Sequence, residues 1–294
     1  MTRHTPVRAA LLIMFLFAAN TALAKQEVTF NNVTATTKIH NEVSCLVVKF
    51  DAVLKYSYNQ LLQQGDSCDQ YIVEVHLKNS SLINTTKGYG SYQDKDGKLK
   101  VTHTILLSND VKYFGNTTLY IPLAAINLTE GTQTLQPTFK VTDRWQHTIP
   151  AMQTSQPFAI SFPQKLNLRI SVKEITVSET DQKDEFWDYF FADTTNAKPE
   201  VCWSVLLATK KLNGSPYNKD NYCYRDTEGK DDVEFTICKN DIFYINVYDF
   251  DMLSFSDQIG SMRVDMNDMK QFSGSNFTTK FGKVQKMDFV VTIL

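Results

Sequence analysis

The stretch that decides the fold of the C-terminal half is Tyr244-Ile-Asn-Val-Tyr-Asp249-Phe-Asp251-Met-Leu-Ser254-Phe-Ser-Asp257-Gln-Ile-Gly260. An apolar, strand-like run leads into three aspartates, and a second strand-like run begins with Ile-Gly. Side chains at i and i+2 leaving a strand point the same way, so Asp249 and Asp251 are predicted to converge. Calcium takes about six to eight oxygen ligands, and Ser254 and Asp257 would close the loop onto the ion. The full spacing favours this calcium loop over a solvated acidic turn, in which Asp is also common.

The same stretch closely resembles the third calcium-binding loop of C2 domains, including those of synaptotagmins. The residues that fall at the family's spacing are Val247-Tyr-Asp249-Phe-Asp251, Ser254, Asp257 and Ile259-Gly260. Two further segments are similar to the opening strand and to the strand before the calcium-loop strand: Leu168-x-Ile170-x-Val172 and Val233–Ile237. The resemblance extends from about Leu166 to Leu294 and implies a C2-type sandwich of about eight antiparallel strands.

The resemblance also implies a first calcium loop earlier in the domain. C2 domains supply one Asp after the opening strands and a second just before an aromatic strand. Asp188 corresponds to the first, with Asp181 and Asp184 as competing candidates. Glu200 stands at the second position and departs from the family's pattern by being Glu rather than Asp. The implied cofactor is Ca²⁺, as one or two ions, and its implied ligands are Asp249, Asp251, Asp257, Ser254, Asp188 and Glu200.

Apolar side chains interrupt the acidic loop at Met252, Leu253 and Phe255. They cannot all point inward while the aspartates face one ion, and in C2 domains such loop tips enter lipid. The resemblance therefore implies contact with a phospholipid membrane through these three residues. Exposed apolar patches also bind proteins, so a protein partner is the alternative. Aromatic residues of the other loop either add to this surface or cover the end of the sandwich: Phe186, Trp187, Tyr189, Phe190 and Phe191.

The rest of the chain is also strand-like. Short runs rich in Val, Ile, Thr, Tyr and Phe alternate with clusters of Asn, Asp, Gly and Ser, and long amphipathic helical patterns are missing. The pattern predicts an all-β chain with two β-sandwich domains, 25–150 and 164–294. Prolines at positions 150, 157 and 163 mark 151–163 as a linker, because Pro fixes φ and donates no ladder hydrogen bond.

The first domain carries no motif comparable with the acidic loop. Its runs Tyr92–Gly97 and Leu119–Gly131 are weakly similar to a C2-like or immunoglobulin-like β-sandwich of bacterial exported proteins. Asp94 and Asp96 fit a tight turn better than a metal site. The domain is interpreted as a scaffolding or adhesive sandwich.

The N-terminus is typical of a secretory signal peptide, residues 1–24. Arg3 and Arg8 flank the start of the apolar run Ala9–Ala19, and Ala22-Leu-Ala24 supplies a small-x-small cleavage pattern. A membrane span would need about 20 apolar residues, more than this run provides. The chain is expected to be bacterial, periplasmic or secreted, with its Asn-x-Ser/Thr triplets unglycosylated. A net charge of −2 without a concentrated basic segment argues against nucleic acid as a partner.

The five cysteines all follow the predicted signal peptide, and in an oxidising compartment disulfides are the default. Cys45 with Cys68 is expected to cross-link the first domain. Cys202, Cys223 and Cys238 leave one odd thiol, and the sequence does not select the pair.

The sequence contains no catalytic pattern. The last histidine is His147, so the C-terminal domain has no His-dependent triad of its own. G-x-S-x-G, H-E-x-x-H and phosphate-binding glycine motifs do not occur. The sequence thus predicts an exported calcium-binding C2-domain protein, not an enzyme, that docks on phospholipid membranes when calcium binds. A calcium-stabilised structural or adhesion protein that binds another protein or a glycan is the alternative, and a lipid-acting hydrolase is a third.

Overall fold

The computed structural model describes residues 26–63, 65, 68–153, 156–180, 198–207, 210–214, 222–226, 229–250, 257–272 and 274–294. Across these residues the backbone forms four β-sheets, and the α-helices are short. None of the described helices has the length and apolar character needed to pass through a bilayer. The all-β, sandwich-type fold expected from the alternating sequence pattern is confirmed. The predicted signal peptide, 1–24, lies outside the described residues.

The described elements of the N-terminal half are β1 (Val28–His40), β2 (Val43–Leu54), α1 (Tyr58–Gln63), β3 (Gln70–Asn79), β4 (Ser81–Leu82), β5 (Lys100–Leu106), β6 (Tyr113–Pro122), β7 (Gly131–Asp143), β8 (Thr148–Ile149), β9 (Ala151–Gln153) and β10 (Phe158–Phe162). One sheet has the order β6-β2-β1-β9, and the other has β10-β7-β3-β4, with β5 on β3 and β8 on β7. Phe30 of the first sheet stacks on Phe139 of the second, with ring centroids 4.2 Å apart. The two sheets therefore face each other across an aromatic core.

The described elements of the C-terminal half are β11 (Lys165–Val177), β12 (Val201–Leu207), β13 (Lys210–Gly214), β14 (Cys223–Arg225), β15 (Val233–Cys238), β16 (Phe243–Asp249), β17 (Asp257–Val264), α2 (Met266–Phe272), β18 (Phe277–Phe281) and β19 (Val284–Ile293). The order β13-β12-β16-β17 forms one sheet, and β14-β11-β19-β18 forms the other, with β15 also on β11. β14 and β15 pair with successive parts of β11, so together they fill one strand position. The described strands thus occupy eight antiparallel positions, the number expected from the sequence.

The predicted linker 151–163 contains two strands of the first sandwich. β9 pairs in parallel with β1, and β10 pairs antiparallel with β7. Pro150 and Pro157 directly precede these strands and Pro163 follows β10, so their missing N–H groups fall at strand boundaries. The connection to β11 is therefore only Pro163 and Gln164, shorter than the prolines indicated.

The five cysteines are thiols in the structure, and the expected Cys45–Cys68 disulfide is not supported. Cys45 lies near the start of β2, beside the second sandwich. Cys68 lies two residues before β3. Near the start of β3, the Tyr71 hydroxyl donates to Gln26 (2.9 Å), and Gln26 lies beside the end of β2. The length of β2 separates these ends by roughly 30 Å. A disulfide tolerates a Cα separation of only about 7 Å, so this pair is too far apart.

A buried carboxylate joins the two sandwiches. Asp241, between β15 and β16, is fully buried and accepts the N–H of Ser44 in the first sandwich (2.7 Å). It also accepts the N–H of Cys238 in the second (2.9 Å). The Tyr89 hydroxyl of the first sandwich donates to the Thr236 carbonyl of the second (2.6 Å). The junction therefore holds the end of the second sandwich from which β16 starts.

Acid is expected to destabilise the second sandwich through Glu174. Its carboxylate accepts hydrogen bonds from Lys286 (2.7 Å) and Arg225 (2.9 Å), which lower its pKa to about 2 from 4.5. A lowered folded-state pKa means that the stabilisation is complete above the unfolded value and is lost as the pH falls from about 4.5 towards 2. Urea unfolding across this range should show a shallower loss of stability for Glu174→Gln than for the wild type. Glu130→Gln, at an exposed site of the first sandwich, should keep the wild-type slope; equal slopes for both variants would contradict the assignment.

Candidate metal centre

Three adjacent strands bring two of the predicted ligands together at one edge of the second sandwich. Asp249, the last residue of β16, pairs with Val201 of β12 on one side and with Asp257, the first residue of β17, on the other. Residues directly opposite on antiparallel strands have Cβ atoms about 4.5–5.5 Å apart and share a face of the sheet. The two aspartates are therefore held side by side where the strands end.

The Asp249 side chain continues the inward face of β16. Ile245 and Val247 on that face are fully buried, and Asp249 itself is only 2% exposed. Its Oδ1 accepts the N–H of Glu200 at 2.7 Å, and the N–H of Phe250 donates to the Glu200 carbonyl at 3.1 Å. The first bond holds the Asp249 carboxylate and the second holds the adjoining backbone, so both act at the end of β16. Asp257, in contrast, is exposed.

Glu200 contributes to the edge through its backbone. The sequence predicted its carboxylate as a ligand, whereas its contact with Asp249 is made by the backbone N–H. The Glu200 carboxylate nevertheless influences the neighbouring Cys202 thiol. Burial raises the pKa of this thiol, Lys211 lowers it, and Asp249 and Glu200 raise it further. A backbone donor is independent of residue type, so the sequence carries no signal for this anchoring role.

The other predicted site residues lie outside the described residues: Asp251, Ser254, Asp188, Met252, Leu253 and Phe255, with the competing candidates Asp181 and Asp184. Within the described ranges, no three His, Cys, Asp or Glu side chains come together as metal ligands. The described part of the centre is therefore Asp249, Asp257 and the backbone of Glu200. A full calcium shell needs more oxygen ligands than these two carboxylates provide.

The segment that carries the predicted first loop starts and ends at this same edge. The N–H of Ser178, just after β11, donates to the Lys283 carbonyl (2.9 Å), and the N–H of Lys283 donates to the Ile259 carbonyl (3.1 Å). Ile259 lies two residues after Asp257, so these bonds hold the end of β11 beside the start of β17. At the other end of the segment, the N–H of Glu200 donates to Asp249. Both acidic segments identified in the sequence therefore leave the sandwich at one end.

Asp249, Asp257 and the backbone of Glu200 form what we call the acidic edge. It lies at the end of β16 that points away from the first sandwich. β16 starts next to Ile242, whose N–H donates to the Glu42 carbonyl of the first sandwich (3.1 Å), and it ends at Asp249. At about 3.3 Å per residue, the strand separates these points by roughly 20 Å. The junction and the acidic edge are thus at opposite ends of one strand.

Two glycines allow the turn at Lys283 to approach β17. A Cβ on Gly260 would lie 2.8 Å from the Phe281 ring. Gly282 has φ +54°, and a Cβ there would lie 2.8 Å from the Ile259 carbonyl oxygen. The Ile-Gly pair that follows Asp257 in the sequence therefore serves close packing of the strands that carry the acidic edge.

Gly282→Ala is expected to lower the free energy of unfolding by about 1–3 kcal/mol, because it adds a backbone clash to an unfavourable φ. Gly274→Ala is the matched control, since Gly274 has φ +76° and nothing within 4 Å of the added Cβ. Chemical unfolding of both variants separates the two effects. Equal losses would show that the clash contributes nothing.

Comparison with known proteins assigns no family. No family model and no curated protein matches the chain. Among solved structures, a C2 domain is 16% identical with a TM-score of 0.31, over 44% of this chain and 97% of that one. The first C2 domain of plant Extended Synaptotagmin 1 is 10% identical with a TM-score of 0.30, over 44% and 95%. The calcium-bound pair of C2 domains of Extended-Synaptotagmin 2 is 9% identical with a TM-score of 0.30, over 77% and 86%. Similarities this low do not place the chain in a family.

Proposed function

We propose that the C-terminal sandwich is a C2-type module that binds calcium at the acidic edge and thereby docks on phospholipid membranes. The observation that carries the proposal is the pairing of Asp249 with Asp257 at the ends of β16 and β17. Two carboxylates held side by side, one of them almost fully buried, place concentrated negative charge where a cation is favoured. A cation that prefers several carboxylate oxygens satisfies this arrangement.

The residues proposed to hold the ion combine the described edge with the neighbouring segments. Asp249 and Asp257 supply carboxylate oxygens, while the Glu200 N–H holds Asp249 in place. The proposed remaining ligands are Asp251, Ser254 and Asp188, with the Glu200 carboxylate as a further candidate. Bound calcium would cancel the negative charge of the edge and leave coordination positions for the oxygens of an anionic lipid headgroup.

Apolar contact with lipid is proposed for Met252, Leu253 and Phe255. Each side chain that enters the membrane contributes roughly 1–2 kcal/mol, the order of ordinary apolar burial. The position of the edge supports this role, because the junction with the first sandwich occupies the opposite end of β16. A membrane can therefore approach the loops without displacing the contacts at that junction.

The protein is further proposed to be exported and to have no enzymatic activity. The basic start, apolar run and Ala-x-Ala pattern of residues 1–24 support export. The lack of histidine in the C-terminal domain, together with the close spacing of its aspartates, supports shared ion binding over acid–base catalysis.

Sedimentation with liposomes tests the docking proposal. The mature chain is titrated with calcium in the presence of anionic or neutral phospholipid vesicles. We expect binding to anionic vesicles that requires calcium and is reversed by a chelator. Thermal stabilisation by calcium without vesicle binding would favour the calcium-stabilised structural or adhesion protein instead.

A further inference from the structure

Among the described residues, none pairs with the outer edge of β1 over the second half of the strand. In the described part of the chain, Thr34–His40 pair with β2 on one side, and the pairing of β9 with the other side ends at Phe30. The residues of this edge are largely exposed, and Ile39 is 59% exposed. Unpaired backbone N–H and C=O groups along a strand edge form a template for another strand. This edge therefore offers main-chain hydrogen bonds to an extended peptide.

A groove of about 350 Å³ lies along the open edge. Its lining residues are Thr37, Lys38, Ile39, Ser44, Cys45, Leu123, Ser161 and Pro163. Ser161 belongs to β10, which pairs with β7 alone among the described strands. The groove is thus bounded by strands of the two different sheets.

The lining selects the chemistry of the occupant. Lys38 is exposed and is the charged side chain among the lining residues. Ile39, Leu123 and Pro163 provide apolar surface beside it. An added strand presents alternate side chains to opposite faces, so it can place an apolar residue in the groove and a carboxylate opposite Lys38.

We infer that this groove binds an extended, acidic segment of a partner protein, which adds as a strand to the Thr34–His40 edge. Main-chain hydrogen bonds would supply affinity, and the Lys38 and Ile39 positions would supply selectivity. The site lies on the first sandwich and does not depend on calcium binding by the second. Its test is therefore independent of the proposed membrane docking.

The test uses the full mature chain and fluorescent peptides of known sequence. The first peptide alternates Val with Glu, the second alternates Val with Lys, and the third carries Pro at the centre of the Val–Glu sequence. Fluorescence anisotropy should show at least about tenfold tighter binding of the Val–Glu peptide than of the other two, since Pro cannot donate to a ladder. Lys38→Glu should reverse the preference between Glu and Lys. Lys49→Glu, an exposed site on the neighbouring strand β2, should leave it unchanged.

Three results would overturn the inference. Equal binding of the Pro-containing peptide would show that no strand is added. If Lys38→Glu still prefers the Val–Glu peptide to the Val–Lys peptide, the groove does not take part in recognition. Sedimentation of the chain without peptide could instead reveal a dimer that Ile39→Lys disrupts, which would make a second copy of the chain the occupant.

Discussion

Asp249→Asn together with Asp257→Asn is expected to abolish the stabilisation of the chain by calcium. A ligand that binds only the folded state stabilises it by about 2.7 kcal/mol when its free concentration is about a hundred times Kd. The double variant should show a shift close to zero, because both charges that the sheet edge aligns are removed. Thermal unfolding with and without calcium measures the difference.

The asparagine substitutions preserve the shape of the edge. An amide oxygen at position 249 can still accept the Glu200 N–H, so the anchoring contact survives while the charge is lost. The substitutions also remove both negative charges from the ends of β16 and β17. Asp96→Asn removes one charge from an exposed turn of the first sandwich and should keep the full calcium response. A double variant that still responds like the wild type would refute the proposed site.

The sequence was most informative where residue type and spacing alone determine structure. The apolar, strand-like run before Asp249 predicted a strand, and Phe243, Ile245 and Val247 of β16 are fully buried. The short interval between Asp249 and Asp257 is consistent with a hairpin connection, and the structure pairs these two residues across adjacent strands. Local spacing therefore identified the strands and one edge of the candidate site.

The sequence was less informative where partners are distant along the chain. The prolines around 151–163 indicated a linker, but their positions just outside β9 and β10 are compatible with edge strands. Cys45 and Cys68 are close in sequence, yet the length of β2 separates them. The anchoring of Asp249 depends on the Glu200 backbone, which any residue could supply. These features follow from tertiary pairing, which one sequence does not encode locally.

Asp241→Ala is expected to cause the largest loss of stability among the substitutions considered. Its carboxylate accepts backbone N–H groups from both sandwiches, Ser44 at 2.7 Å and Cys238 at 2.9 Å, and the residue is fully buried. Each buried donor left without a partner costs about 1–3 kcal/mol, so the total loss should be about 2–6 kcal/mol. Chemical unfolding should show this loss. Because the carboxylate bridges the two domains, we also expect one cooperative transition to separate into two.

Asp265→Ala is the matched control, because Asp265 also accepts two backbone N–H groups, from Asn267 (2.8 Å) and Asp268 (3.2 Å), at a partly exposed helix start. Water can replace that carboxylate, so a loss near 1 kcal/mol is expected there.

The pH dependence gives a second readout, since burial is the largest influence on Asp241 and raises its pKa above the ordinary value of 3.8. The folded chain then holds this proton to higher pH than the unfolded chain, so the contribution of Asp241 is greatest below pH 3.8 and falls as the pH rises through the folded value. This pH-dependent contribution to stability should be missing in Asp241→Ala. If Asp241→Ala instead loses no more stability than Asp265→Ala, the Asp241 carboxylate does not couple the sandwiches.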